Sequence, residues 1–259
     1  MVNNLRMDLR RLKRSGLLFW ALGVLVVLMV GVYAVYAFFA GDSLNAAAND
    51  PAALSISTAM ESFLGEVPVF LVISYTALTF AAQDFRDGFC KNLFTYAHGR
   101  RDYVLGRMVS MLIVSTVLVG AVYLAGVILG LCGAFNGLGG TVADWLCSAV
   151  QQILGCWAYA MFAQFLATLL PQGNLSSIIL FLRVFSILRT VLFVATEILH
   201  LSALYDLTDY AIGAQAQYQP FVVSQGNVGQ LMQSVLFLLV WGVMYAALTE
   251  LILKRRDVI

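Results

Sequence analysis

The run GLLFWALGVLVVLMVGVYAVYAFFA, residues 16–40, carries no charged side chain. A helix needs about 20 apolar residues to cross a hydrocarbon core of about 30 Å, and this run is long enough to do so. Five further stretches are long and predominantly apolar: 67–83, 108–135, 145–170, 175–199 and 229–253. Composition agrees, since 61% of residues are hydrophobic and 11% charged, whereas a soluble domain is about a quarter charged. Spanning strands are excluded on two grounds. Lipid leaves an open strand edge unsatisfied, and the runs are too continuous for barrel strands. The sequence therefore predicts an all-α polytopic membrane protein with six transmembrane helices, folded as a single transmembrane domain over residues 1–259.

Basic residues fix the expected orientation. Arg6, Arg10, Arg11, Lys13 and Arg14 precede the first run, and Arg86, Lys91, Arg100, Arg101 and Arg107 separate the second and third. Lys254, Arg255 and Arg256 follow the last. With six crossings these islands share one side, predicted to be the cytoplasm, with both termini there. The opposite segments, 41–66, 136–144 and 201–228, contain acids such as Asp42, Glu66, Asp144 and Asp206 but no Lys or Arg. The first run is too long for the apolar region of a signal peptide and lacks a clear cleavage site after it, so an uncleaved span is expected. Ahead of it, Leu5, Leu9 and Leu12 share one helical face while Arg and Lys lie elsewhere. This pattern fits a short helix over residues 1–15 lying in the headgroup layer, or a basic flank that only sets topology.

Catalytic patterns are missing from the sequence. There is no G-x-x-x-x-G-K-[ST] loop to cradle nucleotide phosphates, no H-E-x-x-H and no G-x-S-x-G. Cys90, Cys132, Cys147 and Cys156 form no C-x-x-C pair, and the histidines, His98 and His200, lie far apart. The cysteines read as small buried hydrophobes, and no metal site is expected. A net charge of +1, segregated along the chain, gives no footprint for nucleic acid. Gly126 and Gly130 form a G-x-x-x-G spacing that permits close helix approach. Arg183, Arg189 and Glu197 fall in the fifth run, where a charge must face protein or water. Arg183 and Glu197 share a helical face but are too far apart along the axis to pair. They read either as an intramembrane polar lining that meets a substrate headgroup or a partner subunit, or as interhelical and snorkelling charges. Pro51–Phe63 after Asp50 reads as a capped helix, and the aromatic-rich segment 201–228 as a cap against the outer leaflet or bundle.

The island DFRDGFCKNLFTYAHGRR, residues 84–101, holds more than topology requires. Lys and Arg alone would set sidedness. Here Asp84, Gly88 and an aliphatic-aromatic face of Phe89, Leu93 and Phe94 are added. The expected structure is a short amphipathic helix parallel to the membrane, closed near His98 by Gly99, with Arg100 and Arg101 restarting the chain and Arg107 opening the third span. Such an element suits docking of a cytoplasmic protein.

At this island the chain resembles bacterial type 2 ABC exporter permeases. That family has six spans and a cytoplasmic coupling segment after the second, here 84–103. Its pattern is met by Asp84, Phe85, Arg86, Gly88, Lys91, Leu93, Phe94, Arg100 and Arg107. The ending LTELILKRRDVI is similar to the family's last span running into a basic stop, and the N-terminal amphipathic segment to its connecting helix. The usual Pro before the Arg is replaced by Ala97-His98-Gly99, and Arg107 stands where Lys is common. Members of this size include lantibiotic-immunity and other peptide or drug exporters.

The resemblance implies a mechanism. Two permease chains, identical or related, would pair, and each would dock through Asp84, Phe85, Arg86, Gly88, Phe89, Lys91, Leu93, Phe94 and Arg100 on a separate cytoplasmic ATPase. ATP and Mg would bind that partner, this chain would carry no cofactor and no catalytic residue, and the cargo would leave the cell between the two chains. Polar residues are sparse in the spans, with Gln151, Gln152, Gln164, Arg183 and Arg189 prominent. That lining favours an amphipathic peptide, lipid or drug over a sugar. The competing reading of the same island is a non-transporting membrane adaptor or regulator that recruits a cytoplasmic protein.

Overall fold

The computed structural model describes residues 2–31, 67–86, 99–131, 140–170, 173–184, 215–216 and 223–255. Within these, every long element is an α-helix: α1 Val2–Arg14, α2 Leu17–Gly31, α3 Val67–Arg86, α4 Gly99–Leu131, α5 Val142–Leu169, α6 Gly173–Val184 and α7 Val228–Arg255. By length and apolarity α4, α5 and α7 can each cross a membrane, and the bent pair α1–α2 together meets the same test. The outward faces of the helices leave Phe19, Val27, Leu124, Leu146, Ile178, Met232 and Leu236 exposed. A surface of that kind is compatible with burial in lipid.

The helix α5 is the hub of the bundle, packing against α3, α4, α6 and α7. Its apolar window is 61% buried, against 39% for α4 and 28% for α7. That window also has the lowest mean hydropathy of the three. Its polar residues Ser148, Gln151, Gln152, Gln164 and Thr168 point inward, and Val150 and Leu169 stay exposed. Lipid removes the penalty for apolar exposure, so polar side chains concentrate where protein can meet them. Small buried residues, Ala158, Ala160, Ala163 and Ala167, let neighbouring helices approach. Among the described glycines the tightest approach is at Gly242 of α7, where any Cβ would overlap the indole of Trp157. The Trp157 Nε1–H donates to the Met108 carbonyl at 3.0 Å, so this one side chain bridges α5, α7 and α4. Phe162, Phe165 and Trp241 gather around Tyr245, with centroids 5.1, 5.7 and 5.6 Å away, and complete the α5–α7 seam.

Elsewhere several hydroxyls return to their own helices. Thr76 donates to Val72 O at 2.7 Å, Ser110 to Gly106 O at 2.8 Å and Thr249 to Tyr245 O at 2.8 Å. Such back-bonding satisfies a buried hydroxyl where no water is at hand.

Two helix limits differ from the sequence expectation. The third span was expected from residue 108, but the chain is already helical at Gly99, where a C-cap was expected. Arg107 falls inside the helix and is fully buried there. Its charge is neutralised by acids on other helices, so the hydropathy break at this residue marks an ion pair and no boundary. The first run divides at Ser15-Gly16. The Ser15 N–H donates to Arg11 O at 2.8 Å, Gly16 takes φ 70°, and Trp20 N–H donates back to Gly16 O at 2.9 Å. A left-handed glycine directly after a helix is the usual stop. Here it turns α2 by 59° from α1. The expected helices at 51–63 and 89–98 lie outside the described residues.

Candidate functional site

The N-terminal helix α1 presents Leu5 and Leu9 half-buried and Leu12 fully buried. Between them Asp8 is buried too. An amphipathic helix with a carboxylate on its inner face needs a cation inside the bundle, and α4 supplies one. Arg107 Nε lies 3.7 Å from Asp8 Oδ2. Its Nη2 pairs closely with Oδ2 of Asp84 at the end of α3. Arg11 of α1 reaches the other oxygen of Asp84 at 2.6 Å, and the Tyr103 hydroxyl donates to Oδ2 at 3.0 Å. The Arg107 guanidinium also lies 3.9 Å from the centroid of the Phe80 ring, a cation–π contact that covers its remaining face.

Two acids and two guanidiniums thus form a closed cluster joining α1, the C-terminal end of α3 and the N-terminal end of α4. Asp84 and Arg107 have no solvent exposure, and Arg11 keeps a quarter of its side-chain surface. Burial pushes the Asp8 carboxyl above its usual range, while Arg107 and then Arg11 pull it back. A cluster of this kind is costly to assemble and more costly to break, because a lost partner strands a charge in low dielectric. At the same end Arg100 of α4 donates to Lys254 O, the exposed C-terminal turn of α7, at 3.1 Å. The cation stands at the negative end of that helix dipole.

The far end of the bundle is closed by other means. Thr141 and Asp144 form a capping box at the start of α5. The same Asp144 carboxylate accepts from Val223 N–H at 2.7 Å and from Ser224 N–H at 3.0 Å, and also from the Ser224 hydroxyl. Further along α5, Gln151 and Gln152 donate to the carbonyls of Gln215 and Ala216, each at 3.0 Å. Ala216 is buried against Gly155. The 201–228 segment therefore enters the bundle at Gln215–Ala216 and is pinned again at Val223–Ser224.

Of the residues singled out in the sequence, Asp84 is the centre of the ion cluster, Phe85 packs half-buried against the core and Arg86 is exposed. Arg100 is half-buried at the α4–α7 junction. Gly88, Phe89, Lys91, Leu93 and Phe94 lie outside the described residues, as do Arg189 and Glu197. Arg183 falls in the last turn of α6. The sequence reading did not single out Asp8 as a partner of Arg107, nor Arg11 and Tyr103 as partners of Asp84. One signal was present: Asp8 is the lone acid among the basic residues that precede the first apolar run. No protein-family model matches this sequence, and no curated protein matches it.

Proposed function

We propose that this chain is the membrane subunit of an ATP-driven exporter, with six crossings and its basic end in the cytoplasm of a bacterial cell. A separate ATPase would dock at the α3–α4 connection and a second permease chain, identical or related, would pair with this one. The observation that carries this reading is the Asp8–Arg11–Asp84–Arg107 cluster. It ties both stems of the connection, α3 and α4, to the N-terminal helix. A load applied to that connection passes into α3 at Asp84, into α4 through Arg107, and into α1 through Arg11. Arg100 extends the same frame to α7. A simple topology loop has no use for rigid stems of this kind, whereas a segment that transmits the closure of an ATPase dimer needs them. The sequence itself contains no phosphate-binding loop, so ATP and Mg belong to the partner. The cargo that fits the sparse polar residues of the spans is an amphipathic peptide, lipid or drug.

Affinity purification of the full chain from its native membranes tests the proposal. A copurifying subunit with a phosphate-binding loop is expected, and Gly88→Pro or Phe94→Asp should release it and abolish ATP-dependent export from vesicles. Recovery of a stable partner that lacks any nucleotide-binding chain would favour the adaptor reading instead.

A further inference from the structure

The outer face of α1 carries a feature the ion cluster does not use. Arg6, Arg10, Lys13 and Arg14 are all exposed, at spacings that place them along one side of the helix. The face opposite holds Asp8 and Leu12, both buried. Asp8 is the only acid on α1, and it is turned inward to Arg107. The basic residues of α1 therefore divide into two groups, with Arg11 engaged by Asp84 and a stripe of four facing out without a counter-ion among the described residues.

The neighbourhood decides what such a stripe meets. Beyond the Gly16 turn, α2 exposes Phe19, Trp20, Val26, Val27 and Val30, a face suited to lipid tails. Trp20 stands one turn past the joint, and tryptophan favours the level where tails give way to headgroups. The 59° bend then carries α1 away from the α2 axis at that level. From Arg6 to Arg14 the stripe runs about 12 Å along the axis at 1.5 Å per residue. That is too spread for a single phosphate and suits a row of anions. Each Arg and Lys of the stripe carries the positive charge that an anionic surface attracts.

We propose that Arg6, Arg10, Lys13 and Arg14 form a binding surface for anionic phospholipid headgroups, with α1 held against the bundle by its inner-face ion pairs. The inference rests on membrane embedding and is independent of the exporter reading, because it needs neither an ATPase nor a cargo.

The test is native mass spectrometry of the full-length chain released from mixed micelles of phosphatidylglycerol and phosphatidylcholine. The parent should retain phosphatidylglycerol in preference. A cation near an anionic surface is worth about fivefold in partition, so Arg10→Gln and Lys13→Gln should each lower the retention ratio a few-fold. The combined change at all four positions should bring it close to unity. Replacing Arg6, Arg10 and Arg14 by Lys should keep most of the preference. Arg86→Gln with Arg101→Gln, which removes exposed charge from α3 and α4 and leaves α1 unchanged, should keep it as well. An unchanged ratio in the single Gln variants overturns the proposal, as does an equal loss in the Arg86/Arg101 control. If the combined variant fails to fold, the single variants and the Lys variant still decide.

Discussion

Asp84 and Asp144 are both fully buried carboxylates at helix ends, yet they are satisfied by opposite means. Asp84 meets two guanidiniums and a phenol from α1 and α4. Asp144 meets neutral donors, three of them from the turn ahead of α7 and the others from its own cap. The first arrangement fixes whole helices to one another across distant parts of the sequence. The second pins a connecting segment to one helix start. The difference predicts that damage at Asp84 spreads through the basic end, while damage at Asp144 stays local.

The largest expected effect is that of Asp84→Asn. It removes a full charge from a site where Arg107 cannot reach water, and breaking a buried pair in this way costs about 3–5 kcal/mol. Thermal unfolding in detergent micelles would measure it, together with faster amide exchange across α1. The double change Asp84→Leu with Arg107→Met should be milder than the single one, because it strands no charge. A single variant that melts within a degree of the parent would remove the contrast between the two ends.

Asp144→Ala should cost about 1.5–3 kcal/mol, the range for hydrogen bonds to a charged group. Exchange should accelerate at the Val223 and Ser224 amides and at the first turn of α5, with α1 unaffected. Spread of the effect to α1 would show that the two ends are coupled. Gly242→Ala, placed between them, calibrates both. Its added methyl meets the Trp157 ring, and overpacking of this kind costs about 1–3 kcal/mol. It should separate α5 from α7 while leaving the Asp84 and Asp144 contacts in place. Melting temperature and fluorescence of Trp157 against the other tryptophans would report it.

The sequence showed the helices more clearly than their partners. Continuous apolar runs placed α3, α5 and α7 to within a few residues, because lipid-facing helices need no alternation to reveal them. The start of α4 was hidden by Arg107, since a charge in an apolar run looks like an edge until its partner is known. That partner, Asp84, lies on another helix, and no local pattern links the two. The inner face of α1 was half legible: the leucines marked it, but no local pattern assigned Asp8 to it. The G-x-x-x-G spacing drew attention to Gly126 and Gly130. The described contact that demands glycine is at Gly242, where a bulky Trp157 on another helix sets the requirement. Gln151 and Gln152 stood out only as two of the few polar residues in the spans, and their amides hold backbone carbonyls of Gln215 and Ala216.

The smallest effect sharpens the view of the ion cluster itself. Asp8 is held above its ordinary carboxylate value first by burial, against the pull of Arg107 and Arg11. In the unfolded chain an Asp titrates near about 3.9. Between that value and the raised folded one, the folded protein binds more proton at Asp8 than the unfolded chain does. Stability from this group is therefore complete below about pH 3.9 and falls as pH rises through the folded value. Asp84, paired directly with two guanidiniums, remains in both proteins when Asp8 is replaced. Subtracting the stability curve of Asp8→Asn from that of the parent over the mildly acidic range isolates Asp8. The difference should decline with rising pH and then level off. A difference that rises instead would mean that the Arg107 pairing outweighs burial at Asp8.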